Sequence, residues 1–168
     1  MFLSVLKSFS CQRKSWAILL LCMVFFESCA LFFQHILQLP PCVMCIYERI
    51  AMVTIAVGAL IALINPNKPV WRWLGIAIWG SGAIKGLLLA QEHVSFQFDV
   101  SPFHVCDLFI NYPRWLPLDQ WIPWMFKPYG QCSQIVWHFL SLTMPQWVEI
   151  IFIGNIIAFV LVVIAQRR

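Results

Sequence analysis

Charge is what this 168-residue chain has least of: Asp, Glu, Lys and Arg make up 11% of its residues, whereas 61% are hydrophobic. A water-soluble domain of this length has too little interior to hide so much apolar surface. The composition therefore excludes an ordinary soluble protein and indicates an integral membrane protein. No basic patch interleaved with aromatic residues occurs outside the apolar segments, so the net charge of +4 does not indicate nucleic-acid binding.

Motifs for bound redox cofactors are also missing. The chain has a C-x-x-C pair, Cys42 and Cys45, but Ile46 follows it where c-type haem attachment requires His. A zinc site would need a second close pair, which Cys106 and Cys132 do not supply, although four thiolates could still converge. No flavin or iron–sulfur motif is visible. We therefore expect no metal, and we interpret the C-x-x-C as a dithiol/disulfide couple.

Four apolar segments reach the length of about 20 residues that crosses a bilayer. They are Trp16–His35, Val43–Asn65, Trp71–Gln91 and Trp147–Gln166. A cleaved signal peptide is the alternative for the first, because basic residues precede it, but this segment is near span length and lacks a convincing A-x-A site. The pattern predicts an all-α membrane protein, a single domain over residues 1–168 built as a four-transmembrane-helix bundle.

Basic residues set the expected orientation, because they concentrate on the cytoplasmic side of a membrane protein. They occupy the N-terminal tail, the link between the second and third segments, and the C-terminus: Lys7, Arg13, Lys14, Lys68, Arg72, Arg167 and Arg168. Loops 36–42 and 92–146 then lie on the opposite side. Within the long loop, Trp115–Phe126 is too broken by proline to span. We expect a short interfacial helix there, with a simple aromatic anchor as the alternative.

The C-x-x-C pair lies where the second apolar segment begins. On a helix, Cys42, Cys45 and Arg49 share one stripe. Pro41 suits the first helical turn, so both sulfurs are expected at a helix N-terminus, where the helix dipole and Arg49 favour the thiolate. A dithiol that is reoxidised repeatedly inside a bilayer needs an electron acceptor there. A membrane quinone is the obvious one, and Arg49 could polarise its carbonyl.

Arg49, Lys85 and Glu27 are ionisable residues well inside the predicted spans. A charged side chain at Arg49 costs free energy inside the bilayer unless it faces the bundle interior. The alternative is that Arg49 snorkels outward or pairs with Glu48. Lys85 should lie at a similar depth, with Glu27 slightly nearer the cytoplasm. Glu27 and Lys85 could form an ion pair inside the bundle, which the sequence does not decide. The alternative is that Lys85 snorkels and Glu27 bonds a hydroxyl.

Cys106 and Cys132 flank the Pro- and Trp-rich part of the long loop. If they pair, loop closure stabilises the fold by about 3–4 kcal/mol in the chain-entropy model. The residues alone support a structural disulfide and a redox-active one equally.

The chain resembles the DsbB family of bacterial inner-membrane disulfide bond formation proteins. The matching segments, in order, are FQH at Phe33–His35, PCVMCIYER at Pro41–Arg49, EH at Glu92–His93, SPFHVCD at Ser101–Asp107, YPRWLPLDQWIP at Tyr112–Pro123, GQC at Gly130–Cys132 and MPQW at Met144–Trp147. Together they span nearly the whole chain in the right order and are far more specific than C-x-x-C alone. Met44 stands where Leu is common, a volume-conserving difference.

The resemblance implies two redox pairs in the periplasm, and both termini in the cytoplasm. Cys42 and Cys45 would be linked to quinone, either ubiquinone or menaquinone, and Cys106 and Cys132 would oxidise a DsbA-like thioredoxin-fold partner. It also implies that Arg49 assists the quinone reaction. The other implied quinone contacts are His93, Met144 and Trp147. Three remaining cysteines match no redox position: Cys11, Cys22 and Cys29.

The implied reaction begins when a partner thiolate attacks the Cys106–Cys132 disulfide at Cys106. Electrons then pass to Cys42–Cys45, and a Cys45 thiolate reduces quinone, so we expect loop 92–146 to be mobile. Three alternatives remain: a quinone reductase like vitamin K epoxide reductase running electrons the other way, a DsbB paralogue with a narrow client set, and a membrane protein with purely structural disulfides. The second pair lies between the third and fourth segments, which favours the DsbB family.

Overall fold

The computed structural model describes residues 2–99, 106–107, 109–113 and 115–167. Helices dominate this part of the chain, with one short antiparallel hairpin. The elements are α1 (Phe2–Ser10), α2 (Arg13–His35), α3 (Val43–Ile64), α4 (Pro69–Phe98), α5 (Leu118–Trp121), α6 (Pro123–Phe126), β1 (His138–Phe139), β2 (Leu142–Thr143) and α7 (Met144–Arg167).

Four of these helices, α2, α3, α4 and α7, are long and apolar enough to cross a membrane. They confirm the prediction of an all-α protein with four transmembrane helices. The third span, however, continues past Gln91 to Phe98. Hydropathy ends at Gln91, but residues 92–98 contain neither Gly nor Pro, so nothing interrupts the helix. The fourth span likewise begins earlier, at Met144, with Pro145 in its first turn, where its missing N–H is harmless.

Close backbone contact holds the centre of the bundle together. Helix α3 packs against α2 and α4, and α4 packs against α7. A methyl group built on Gly58 would lie 2.7 Å from the backbone nitrogen of Trp79 and 2.9 Å from the carbonyl oxygen of Gly75. Small residues therefore let α3 and α4 approach more closely than any larger side chain would allow.

The long loop carries two single helical turns, α5 and α6, within the predicted interfacial segment. They are separate because Ile122 has a non-helical backbone and Pro123 starts the second turn. Trp115, Trp121 and Trp124 are exposed there, as expected for a segment at the membrane surface.

Backbone contacts fasten the end of this loop to the start of α3. The N–H groups of Tyr129 and Gly130 both donate to the carbonyl of Pro41, at 2.8 and 2.9 Å. A side chain at Gly130 would collide with the carbonyl oxygen of Pro40, so this approach requires glycine.

Two elements were not expected from the sequence. Strands β1 and β2 form a hairpin whose two turn residues, Leu140 and Ser141, have positive φ angles of 50° and 65°, the combination of a type I′ turn. Neither residue type favours this conformation, so no turn motif in the sequence predicted the hairpin.

Helix α1 is the second element that the sequence did not predict. It packs against α7, where Ser10 accepts a hydrogen bond from Gln166.

Candidate active site

Four cysteines meet at one end of the bundle. The structure joins Cys42 to Cys45 and Cys106 to Cys132. Cys42 and Cys132 are both buried and belong to one cluster, against which Cys45 and Cys106 pack. The two pairs are thus neighbours, which sulfur exchange between them requires. Disulfide sulfurs are not thiolates, so this oxidised state offers no thiolate ligands to a metal ion.

The first cysteine of the C-x-x-C caps α3. Cys42 has an extended backbone, and its Sγ accepts a hydrogen bond of 3.1 Å from the N–H of Cys45. The helix therefore begins at Val43, and the prediction that Pro41 occupies the first turn is wrong. Proline instead precedes the cap and favours an extended approach. The N–H of Cys45, a donor that has no partner inside the helix, and the positive end of the helix dipole both favour negative charge on the Cys42 sulfur.

A buried histidine touches the same sulfur. His93 on α4 has its Nε2 atom 3.4 Å from Cys42 Sγ and its Nδ1 atom 2.8 Å from Oε1 of Glu48. Sequence reasoning gave His93 a quinone contact and treated Glu48 only as an alternative partner for Arg49. A carboxylate inside a predicted span is itself a functional signal, and it could have identified Glu48.

The cation expected near the cysteines is buried and held by an ion pair and two hydrogen bonds. The Nε atom of Arg49 lies 3.4 Å from Oε2 of Glu27. Its Nη1 atom donates to Oε1 of Gln34 at 2.8 Å and also to the carbonyl of Met125 in the long loop. Arg49 therefore neither snorkels outward nor pairs with Glu48.

Glu27 and Lys85 do not form an ion pair. Lys85 is exposed on the outer face of α4, whereas Gly82, Ala83 and Gly86 occupy the buried face. Packing of these small residues sets the rotation of α4 and directs Lys85 away from the bundle interior.

A cavity of about 100 Å³ lies beside the Cys42–Cys45 disulfide. Its polar lining includes Arg49 and His93, and its apolar lining includes Met144, so three of the four predicted quinone contacts surround it. Trp147 is not among the lining residues; its Nε1 atom donates instead to the carbonyl of Phe139 in the hairpin, at 3.1 Å. The aromatic side chains in the lining are Phe33 and Trp137.

Within the described part of the chain, several buried polar atoms at this cavity have no hydrogen-bond partner. They are both carboxylate oxygens of Glu27, the Nε atom of Arg49 and the Oε1 atom of Gln97. Buried polar groups are normally paired, so such atoms indicate room for a ligand with polar edges. An apolar pocket with a few polar groups beside a disulfide suits a flat, largely apolar oxidant.

Two tyrosine hydroxyls form hydrogen bonds with the backbone of the outer loop. The hydroxyl of Tyr112 donates to the carbonyl of Phe126 at 2.9 Å, and the hydroxyl of Tyr47 accepts from the N–H of Asn111 at 3.0 Å. Burial, followed by the negative charge of Asp119 and by Tyr47, raises the pKa of Tyr112 to about 12. The Tyr47 contact holds the loop against α3 in the oxidised state, and the Tyr112 contact joins two parts of the loop to each other.

A membrane bundle that gathers two cysteine pairs beside an apolar cavity has the architecture of a membrane thiol–disulfide oxidoreductase. The family model described as Disulfide bond formation protein DsbB matches residues 12–162. The chain belongs to the DsbB family: it is a multi-pass membrane oxidoreductase that forms disulfide bonds.

Proteins named Disulfide bond formation protein B from several bacteria are similar to this chain. The Vibrio alginolyticus protein is 58% identical over 96% of this chain and 98% of its own length. The Vibrio cholerae protein is 57% identical over 98% of this chain and 95% of its own. The Aeromonas hydrophila protein is 47% identical over 96% and 93%. Membership of the family therefore extends over essentially the full length.

Proposed function

We propose that this protein takes electrons from a reduced, periplasmic DsbA-like thioredoxin-fold protein and passes them to a membrane quinone. One observation carries the proposal: the Cys42–Cys45 disulfide packs against the second cysteine pair on one side and shares a cavity with buried Arg49 on the other. A disulfide in this position can exchange with a neighbouring thiolate and face a lipid-soluble oxidant.

Unequal burial of the outer pair supports Cys106 as the point of attack. Cys106 is partly exposed, whereas Cys132 is only 2% exposed. A partner thiolate reaches Cys106 and forms a mixed disulfide, and Cys132 leaves as a thiolate. The second thiol of the partner then resolves the mixed disulfide, so the partner departs oxidised and the outer pair is reduced.

The two electrons then pass inward. The thiolate of Cys132 attacks the sulfur of Cys42, against which it packs, and Cys45 leaves as a thiolate at the cavity. Cys106 then attacks Cys132, which restores the outer disulfide and leaves Cys42 and Cys45 reduced. The loop must adjust for each exchange, so mobility of residues 92–146 stays a prediction.

The lining of the cavity supports a quinone ring as the ligand. An apolar protein cavity of roughly 150 Å³ holds one benzene ring, whereas the cavity here is about 100 Å³, so we expect its walls to move apart when the ring binds. Arg49, His93 and Met144 would hold the ring, with the guanidinium facing the carbonyl oxygen that gains negative charge. A bound quinone, ubiquinone or menaquinone, accepts two electrons and two protons. The net reaction is dithiol plus quinone giving disulfide plus quinol.

Charge distribution supports the proposed location, the bacterial inner membrane with both termini in the cytoplasm. Arg13 begins α2, while Lys68 and Arg72 lie at the link between α3 and α4. These residues are at the opposite end of the bundle from the cysteines. By the positive-inside rule, the cysteines then face the periplasm.

Quinone absorbance tests the proposal. Purified protein in detergent is mixed with quinone and a reduced thioredoxin-fold substrate. We expect one quinol for each disulfide formed in the substrate. Cys45→Ser should abolish quinol formation, while the control Cys22→Ser, at an exposed cysteine within α2, should retain it. Full substrate oxidation by Cys45→Ser would disprove the proposed route.

A further inference from the structure

We infer that Glu48, His93 and Cys42 form a proton relay: His93 accepts the proton of the Cys42 thiol, and Glu48 holds the imidazole in the tautomer that can accept it. This deepens the proposed function, because it depends on Cys42 cycling between disulfide and thiol. His93 is then a catalytic residue acting on sulfur, beyond its predicted contact with quinone, and Glu48 is a positioning residue.

The hydrogen bonds define the tautomer. An ionised carboxylate only accepts, so the 2.8 Å contact with Glu48 places a hydrogen on Nδ1 of His93. In a neutral imidazole the other nitrogen then carries a lone pair. That nitrogen, Nε2, lies 3.4 Å from Cys42 Sγ. A thiol at Cys42 therefore meets a proton acceptor, with a carboxylate behind it, the arrangement that activates nucleophiles in His-dependent enzymes.

Burial strengthens the electrostatic interactions among these three residues. Glu48 is 4% exposed, and His93 and Cys42 are each 3% exposed. With water excluded, a thiolate beside an imidazolium is stabilised more strongly than in solvent, and the Glu48 carboxylate stabilises the imidazolium in turn. The N–H of Cys45, 3.1 Å from the same sulfur, stabilises the thiolate from the helix side.

The relay accounts for the protons that are released when Cys42 and Cys45 are oxidised to a disulfide. The S–H bond of Cys42 breaks and its proton goes to Nε2 of His93, while the sulfur forms a bond to the sulfur of Cys45. Two electrons leave for the quinone, and the proton on His93 and the one from the Cys45 thiol both end on the quinol. In the preceding exchange the Cys106 thiol attacks Cys132 and Cys42 is the leaving group, so Cys42 takes up the proton that Cys106 gives up, with His93 as the donor.

Other charged groups near His93 come from two helices. Besides Glu48, those lining the cavity are Arg49 of α3 and Glu27 of α2, which lie 3.4 Å apart and largely offset each other. Cys45 is the other titratable group of the reduced state. The α7 residues that line the cavity are not titratable. Glu92 is adjacent to His93 in sequence but exposed, so it provides a matched control.

Alkylation of Cys42 tests the relay without quinone or partner. In a Cys45→Ser, Cys106→Ser, Cys132→Ser background, the iodoacetamide rate at Cys42 is followed against pH by mass spectrometry of its peptide. We expect His93→Ala to move the titration midpoint up by about one pH unit or more, slowing reaction at pH 7 about tenfold. Glu48→Gln should move it the same way by less, because its amide keeps the hydrogen bond but not the charge.

Controls keep the outcome decisive. Glu92→Gln and His138→Ala, both at exposed positions, should leave the midpoint of Cys42 unchanged. An unchanged circular dichroism spectrum and an unchanged melting temperature report an intact fold. If His93→Ala does not fold, His93→Gln preserves bulk and polarity without a proton-accepting nitrogen. A midpoint that neither His93 variant moves would overturn the relay, whereas failure of the quinone assay alone would overturn only the proposed electron acceptor.

Discussion

The Nε atom of Arg49 lies 3.4 Å from a carboxylate oxygen of Glu27, and this contact joins α3 to α2 beside the Cys42–Cys45 disulfide. A guanidinium inside a membrane bundle needs an opposite charge or a water-filled cavity to be tolerated. Here it has both a carboxylate and an open pocket. Among the described residues, neither oxygen of the Glu27 carboxylate accepts a hydrogen bond. Both members of the pair line the cavity, where a ligand could contact them.

Removal of Glu27 should destabilise the bundle strongly. Glu27→Leu leaves the Arg49 charge buried without its partner, and breaking a buried pair costs about 3–5 kcal/mol. Lys85→Leu is the matched control, because Lys85 lies on the exposed face of α4, and we expect a change within about 0.5 kcal/mol. Unfolding by denaturant in mixed micelles measures both. Equal destabilisation by the two substitutions would contradict the Glu27–Arg49 pair.

Arg49→His should separate the two half-reactions. Loss of a fixed positive charge at the cavity should slow quinone reduction about 10²-fold, the effect of removing one preorganised donor. Exchange with the thioredoxin-fold partner at Cys106 should remain largely intact. Stopped-flow measurement of each half-reaction gives the comparison, with Arg72→His at the other end of the bundle as control. Equal losses in both half-reactions would argue against the proposed role of Arg49.

Gly58→Ala and Gly154→Ala should change stability in opposite directions. A methyl group at Gly58 meets backbone atoms of Trp79 and Gly75 that cannot move aside, and such overpacking costs about 1–3 kcal/mol. At Gly154 nothing lies within 4 Å, so alanine should stabilise α7 by about 0.5–1 kcal/mol through its higher helix propensity. Thermal denaturation in detergent compares the two. A neutral Gly58→Ala would show that α3 and α4 are not in close contact.

Alkaline pH should loosen the outer loop through Tyr112. The pKa of Tyr112 is about 12 in the folded protein, above the unfolded value of about 10. The folded state binds this proton more tightly, so the stabilisation is fully present below about pH 10 and is lost as pH rises through 12.

Amide exchange of residues 109–126 at pH 9 and pH 11 measures the effect. Tyr112→Phe should lower protection at pH 9, because the hydrogen bond to Phe126 is lost, and should show a smaller further loss at pH 11. Tyr129→Phe, at an exposed tyrosine, is the control. A Tyr112→Phe protein with the same pH response as the unmodified protein would contradict the assignment.

The sequence could predict those features that depend on the residues of a single segment. Apolar length defined four spans, and the spacing of Cys42, Cys45 and Arg49 placed a dithiol and a cation on one helical stripe. Hydropathy located the end of α4 less well, because the helix continues through residues 92–98, where polar and apolar residues are mixed. No local signal indicated the β1–β2 hairpin, since its turn residues, Leu140 and Ser141, are not those that favour positive φ.

What the sequence determined by itself was the membrane bundle and the sulfur chemistry at its rim, because hydrophobic length and residue spacing are properties of single segments. Tertiary structure alone decided the partners of the buried charges: Glu27 with Arg49, Glu48 with His93, and Lys85 outside the bundle. Each pairing depends on how far one helix is rotated against another. That rotation is fixed by the packing of small residues from segments far apart in the chain, which no single segment encodes.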